Sequence, residues 1–136
     1  MKHGDKALIQ ACQKCIDLCE KGIDICQKLV DSCSISLTKE CAAECGKCVK
    51  NCAQVIQAAQ ACIVLCEAHI ENCDRQSCKT ACEECIKECK KSIAQCEKCI
   101  PQCHSENVEC MKECLNSIKH FNDCALACQT CINHME

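Results

Sequence analysis

From residue 8 onward the apolar and small residues recur at alternating steps of three and four, the spacing that returns side chains to one face of an α-helix. A first run carries Leu8, Cys12, Cys15, Cys19, Gly22, Cys26, Leu29 and Cys33. A second carries Cys41, Cys45, Cys48, Cys52, Val55, Ala59, Cys62, Cys66, His69 and Cys73. A third follows with Cys78, Cys82, Cys85, Cys89, Ser92, Cys96, Cys99 and Cys103, and a fourth with Cys110, Cys114, Ser117, Phe121, Cys124, Cys128, Cys131 and Met135. In heptad terms every cysteine falls on an a or d position. The adjoining e positions add a stripe of branched residues: Ile9, Ile16, Ile23 and Val30; Val49, Ile56, Ile63 and Ile70; Ile86, Ile93 and Ile100; Ile118 and Ile132. A face of that width suits a helix of a globular bundle better than a two-stranded coiled coil.

The unit repeats. Moving Cys41, Cys45, Cys48, Cys52, Cys62, Cys66 and Cys73 along by 37 residues lands each on another cysteine, from Cys78 to Cys110. The pattern predicts helices over about 5–33, 38–73, 75–103 and 106–134, with Ser36 or Thr38, Asp74 or Ser77, and Ser105 as N-caps. Connections so short force neighbours to run antiparallel. The expected fold is therefore all-α, an antiparallel up-down four-helix bundle with a cysteine-lined core, forming one domain over residues 1–136. Pro101 lies inside the third stripe and should kink that helix or end it about one turn early, because it lacks a backbone donor.

Composition explains what fills the interior. The chain has 24 cysteines, one Phe and no Trp or Tyr in 136 residues. A buried cysteine is ordinarily just a small hydrophobe. A core built almost wholly of thiols forgoes the volume that Leu or Ile would supply, so something other than packing selects them. Met1-Lys2-His3-Gly4-Asp5 runs directly into the amphipathic pattern without an apolar export segment, which leads us to expect a cytoplasmic protein with reduced thiols. No segment shows the uninterrupted apolar length of a membrane span, and the net charge of -3, with signs interspersed, offers no basic stripe for nucleic acid.

Thiols at helical spacing are metal ligands. Nine non-overlapping Cys-x-x-x-Cys pairs can be drawn, among them Cys15/Cys19, Cys48/Cys52 and Cys99/Cys103. Positions four apart place β-carbons about 5 to 6 Å apart on one face. Their sulfurs can then approach about 4 to 5 Å, roughly twice a metal–sulfur bond of about 2.3 Å. Soft, two-coordinate Cu(I) fits that separation, whereas Zn(II) asks for four ligands in a tetrahedron. Cys12, Cys26, Cys33, Cys73, Cys96 and Cys131 remain to pair across helices or bridge two ions. The candidate ligands are thus all the seam cysteines, together with His69, which occupies a seam position where a cysteine would otherwise stand. At two sulfurs per ion, capacity is on the order of a dozen Cu(I), which suits storage or buffering. No acid, base or open coordination site marks an enzyme.

Repeated Cys-x-x-x-Cys and Cys-x-x-Cys along four helices resemble the bacterial copper storage proteins, and the missing export segment resembles their cytosolic branch. The resemblance covers essentially the whole chain. It implies Cu(I) bound along the bundle interior, association as a homotetramer, and delivery by a copper chaperone or a small thiol donor. It also implies metal entry at a bundle end lined with His or Met. Antiparallel helices gather His3, His69, Cys73, Cys78, Cys131, His134 and Met135 at one mouth, the expected entry, while His104 lies at the other and His120 falls off the seam.

Counting along the helices puts Gly22, Cys52, Ser92 and Phe121 at one level. Phe121 is expected to plug the thiol column there, with Gly22 giving its ring room. Two alternatives stand beside Cu(I) storage. One is a zinc or cadmium thiolate buffer. The other is a disulfide-stapled structural protein, suggested by the nine-residue gaps of Cys52/Cys62 and Cys114/Cys124.

Overall fold

A computed structural model of the chain describes residues 5–33, 39–104 and 109–135, in which four α-helices are present: α1 (Lys6–Cys33), α2 (Lys39–Asn72), α3 (Gln76–His104) and α4 (Glu109–Met135). Each helix packs on its two neighbours in the ring α1, α2, α3, α4, which makes an up-down bundle. The boundaries lie within three residues of those the periodicity predicts. Ser36, Thr38, Ser105 and His3 lie outside the described residues, as does the side chain of His104.

The helix starts show which caps the chain uses. Asp5 caps α1: its Oδ1 accepts from Leu8 N at 3.1 Å and its carbonyl from Ile9 N at 2.9 Å, satisfying two otherwise unpaired donors. Neither Asp74 nor Ser77 sits at the cap of α3. Ser77 is already inside the first turn, and the carbonyl of Arg75 accepts from Lys79 N at 3.1 Å. Pro101 does not end α3 early either, since the helix continues to His104. Pro101 and Glu97, whose carbonyl loses its i+4 donor, are both exposed, so water can satisfy that carbonyl and the lost bond costs little.

Every described a and d residue is buried, and the e-stripe isoleucines and valines lie at the edge of the same core, nearly all of them half-buried. One expectation needs correcting. Within Glu40–Asn72, α2 does reach the length and mean hydropathy (1.2) of a membrane-crossing helix, because cysteine, alanine, valine and isoleucine all count as apolar. Its cysteines face the bundle, and Gln57, Gln60 and Glu67 lie on its exposed side.

Candidate metal centre

Four helices with thiols along most of their seams bring sulfur atoms into contact along the axis. Cys85 and Cys128 approach to 3.6 Å, Cys82 and Cys131 to 3.7 Å, and Cys15 and Cys89 each lie 3.8 Å from Cys124. Towards the other end, Cys48 lies 3.7 Å from both Cys99 and Cys114, and Cys45 lies 3.9 Å from Cys110. Two of the pairs four residues apart lie at or just inside the near end of the expected separation, Cys48–Cys52 at 4.0 Å and Cys99–Cys103 at 3.8 Å. The closest partners nevertheless come from different helices.

That cross-helix geometry enlarges the set of possible sites. Sulfurs lying within 4.8 Å of one another form groups of four, including Cys12/Cys62/Cys85/Cys128, with one residue from each helix, and Cys48/Cys99/Cys103/Cys114. Cys66/Cys85/Cys131 form a group of three, and Cys45 and Cys110 form another with Cys33, whose sulfur is held in a disulfide. Cys85 and Cys128 each belong to two groups, so neighbouring sites share ligands. The Cys-x-x-x-Cys spacing alone does not reveal these groups, because they depend on the register between helices.

Two of the expected ligands are joined to each other. Cys33 and Cys41 form a disulfide between the end of α1 and the start of α2, whereas the remaining cysteines are free and buried. The expectation that all 24 thiols are free therefore does not hold in this state. The physical reason is position: a and d residues flanking a short connection face each other, with α-carbons 5.0 Å apart, inside disulfide range. Cys52, Cys62, Cys114 and Cys124, which the stapled alternative would pair, are all free.

Protons are unevenly shared among the thiols. Hydrogen bonds from Cys114 and Cys48 hold Cys26 down to about 5, and bonds from Cys131 and Cys66 hold Cys82 down to about 4. Burial, the largest cause, pushes Cys45 and Cys78 up to about 12. Close partners shift in opposite directions. Cys85 is lowered, chiefly by Cys12 and Cys128, while Cys128 is raised, chiefly by Cys12 and Cys124, and either sulfur of the Cys85–Cys128 pair can be the donor. Cys48 is raised and Cys99 lowered, each chiefly through hydrogen bonds with Cys103 and Cys114. Such an S–H···S arrangement holds a proton where a soft cation can replace it. Among the described residues no buried one is Lys or Arg, so negative charge on these sulfurs calls for protons or bound cations nearby.

At one mouth, buried His69 links α2 to two other segments. Its Nδ1 lies 3.3 Å from Asp5 Oδ2 and its Nε2 lies 3.1 Å from Cys78 Sγ. With Nδ1–H donating to Asp5, Nε2 accepts from the Cys78 thiol, and the carboxylate fixes the ring's orientation. The seam position of His69 was legible in the sequence, but Asp5 was missed because its capping role and its contact 64 residues away leave no local signal. Cys73, Cys131 and Met135 are buried at the same end, whereas the Nδ1 of His134 lies on the outside, 2.9 Å from the Thr130 carbonyl. His120 is half-buried beside the core.

Midway along the bundle the thiols give way to other residues. Phe121 is fully buried against Gly22, where a Cβ would lie 2.6 Å from Cε2 of the ring and 2.5 Å from Oδ1 of Asn51. Polar side chains pin the helices around this level. Asn51 donates to the Leu18 carbonyl at 3.1 Å, Ser92 to the His120 carbonyl at 3.1 Å, and Gln95 to Ser117 Oγ at 3.3 Å.

No family model, curated protein or solved structure matches this chain.

Proposed function

We propose that the protein stores Cu(I) in its interior as thiolate complexes. The observation that carries this reading is the convergence of buried free thiols from all four helices on one axis, with sulfur neighbours 3.6 to 4.0 Å apart at successive turns. Three sulfurs around one ion at about 2.3 Å stand about 4.0 Å apart, and a linear pair about 4.6 Å apart. The thiols therefore need only small rotations about their side-chain bonds to take a two- or three-coordinate ion. Sulfur selects a soft metal, and shared ligands such as Cys85 and Cys128 suit ions that bridge. Many equivalent sites in a closed core favour a reservoir over a catalyst. The same reading includes a cytoplasmic setting, which rests on the sequence alone, and delivery by a chaperone or small thiol and a homotetramer, which rest on the resemblance to the copper storage proteins.

A second reading has a specific observation in its favour. Groups such as Cys12/Cys62/Cys85/Cys128 offer four sulfurs, and a tetrahedral ion at about 2.3 Å spaces its ligands about 3.8 Å apart, so zinc or cadmium would also fit there. Anaerobic titration of the reduced protein with Cu(I) against a competing chelator, in parallel with Zn(II), separates the two. Storage of Cu(I) predicts uptake on the order of a dozen ions per chain with helicity retained. Saturation at a few equivalents, or tighter stoichiometric uptake of zinc, would overturn it.

A further inference from the structure

We infer that the bundle holds two separate metal pools, divided by the Phe121 layer. This rests on the storage reading and deepens it.

Each helix has a break in its seam thiols near its middle, between Cys19 and Cys26, Cys52 and Cys62, Cys89 and Cys96, and Cys114 and Cys124, with Cys52 bordering the level of Gly22 and Phe121. The intervening seam residues, Gly22, Val55, Ala59, Ser92, Ser117 and Phe121, are all buried and carry no metal-binding sulfur. The Phe121 ring crosses from α4 to lie against the backbone of α1 at Gly22, and Asn51 closes on the same point from α2. Both are held. The ring has no exposed surface, and the Asn51 amide is tied to the Leu18 carbonyl.

Sulfur contacts respect the division. Cys19 interacts with Cys124 and Cys15, on one side. Cys26 interacts with Cys114, Cys48 and Cys99, and Cys52 with Cys48, Cys96 and Cys99, on the other. The four-sulfur groups divide in the same way: Cys12/Cys62/Cys85/Cys128 and Cys15/Cys89/Cys124/Cys128 on the first side, Cys48/Cys99/Cys103/Cys114 on the second. A metal ion moves through such a core by passing from one sulfur pair to the next, and an aromatic ring offers it no thiolate. The two ends differ as well. The first pool opens beside Asp5, His69 and Cys78, and the second ends at the Cys33–Cys41 disulfide.

Two measurements test the division. In the first, the full-length reduced protein is loaded with Cu(I), challenged with rising concentrations of a Cu(I) chelator, and its unprotected cysteines are alkylated and mapped by mass spectrometry. In the triple variant Cys48→Ser, Cys99→Ser, Cys114→Ser, protection of Cys12, Cys62, Cys85 and Cys128 is expected to fail at the same chelator concentration as in the unmodified protein. A shift of threefold or more would show one continuous column and overturn the proposal. The second needs no metal. Limited diamide oxidation of the apo-protein is followed by alkylation and disulfide mapping, the oxidant taking one hydrogen from each of the two thiols it joins. The first disulfides formed are expected to lie within one half or the other, and Phe121→Cys is expected to permit links across the layer. Early links from Cys19 or Cys124 to Cys52 or Cys96 in the unmodified protein would overturn the division. If no copper is taken up, storage fails at the first measurement, while the second still decides whether the core is split.

Discussion

Replacing Gly22 with Ala probes the middle of the bundle with one methyl group. A β-carbon at this position would stand 2.5 Å from Asn51 Oδ1 and 2.6 and 2.8 Å from two carbons of the Phe121 ring. None of these atoms can withdraw freely, because the ring is fully buried and the Asn51 amide is bonded to Leu18. Overpacking of this kind costs about 1 to 3 kcal/mol. It is opposed by the gain of about 1 kcal/mol for replacing glycine inside a helix. Gly46, exposed in α2 and with nothing within 4 Å of its β-carbon, supplies the control, because Gly46→Ala keeps the helical gain without the clash. The difference between the two variants therefore isolates the steric cost. With three close atoms on two fixed side chains, we expect it near the upper end, about 3 kcal/mol. At a urea slope of about 1 to 3 kcal/mol per molar, the two midpoints should separate by at least about 1 M, with Gly46→Ala above the parent and Gly22→Ala below it. The assay is urea unfolding of the reduced, metal-free protein followed by helical circular dichroism. Adding Phe121→Leu to Gly22→Ala should recover part of the loss. If both alanine variants were stabilised alike, Phe121 could not lie against Gly22, and the divided core would have no basis.

Other outcomes follow from the same coordinates. Thiol titration of the denatured protein should find 22 free groups, the 24 cysteines less the disulfide pair, and two more after reduction. Cys45 and Cys78, raised from 9.0 to about 12, keep their protons at neutral pH, so metal uptake there must release protons. The apparent affinity should rise with pH, by about tenfold per unit for each proton displaced. In the apo-protein the sign is reversed for stability. The folded state favours the protonated thiol, so its contribution is complete below pH 9.0 and is lost as pH rises towards about 12, which alkaline unfolding would reveal. His69→Ala removes the link from Asp5 to Cys78 and should weaken metal held at Cys78 about tenfold while leaving total capacity nearly intact, as read by alkylation of Cys78 under chelator challenge.

Much of this architecture was legible because a single periodicity governs the chain. Steps of three and four set the helices, the buried face and the convergence of the thiols, and the level of Phe121 opposite Gly22 could be reached by counting along antiparallel rods. Features that depend on the register between helices could not be read locally. The four-sulfur group Cys12/Cys62/Cys85/Cys128 draws one residue from each helix, and nothing in the Cys-x-x-x-Cys spacing identifies its members. Asp5 reaches His69 only because the start of α1 meets the end of α2. The Cys33–Cys41 disulfide has no local mark, because every seam cysteine shares the same spacing and only the short connection places this pair face to face. Pro101 does not end α3 because its cost depends on whether water can reach the freed carbonyl, and on the exposed side of the helix it can.

The most direct test of a metal-filled interior is anomalous diffraction at the copper edge from crystals of the Cu(I)-loaded, reduced protein. Interior thiolate storage predicts copper peaks along the bundle axis, beside Cys85 and Cys128 on one side and beside Cys48, Cys99 and Cys114 on the other, with a gap at Phe121. Copper found only on the outer surface, or an interior without metal at full loading, would contradict it.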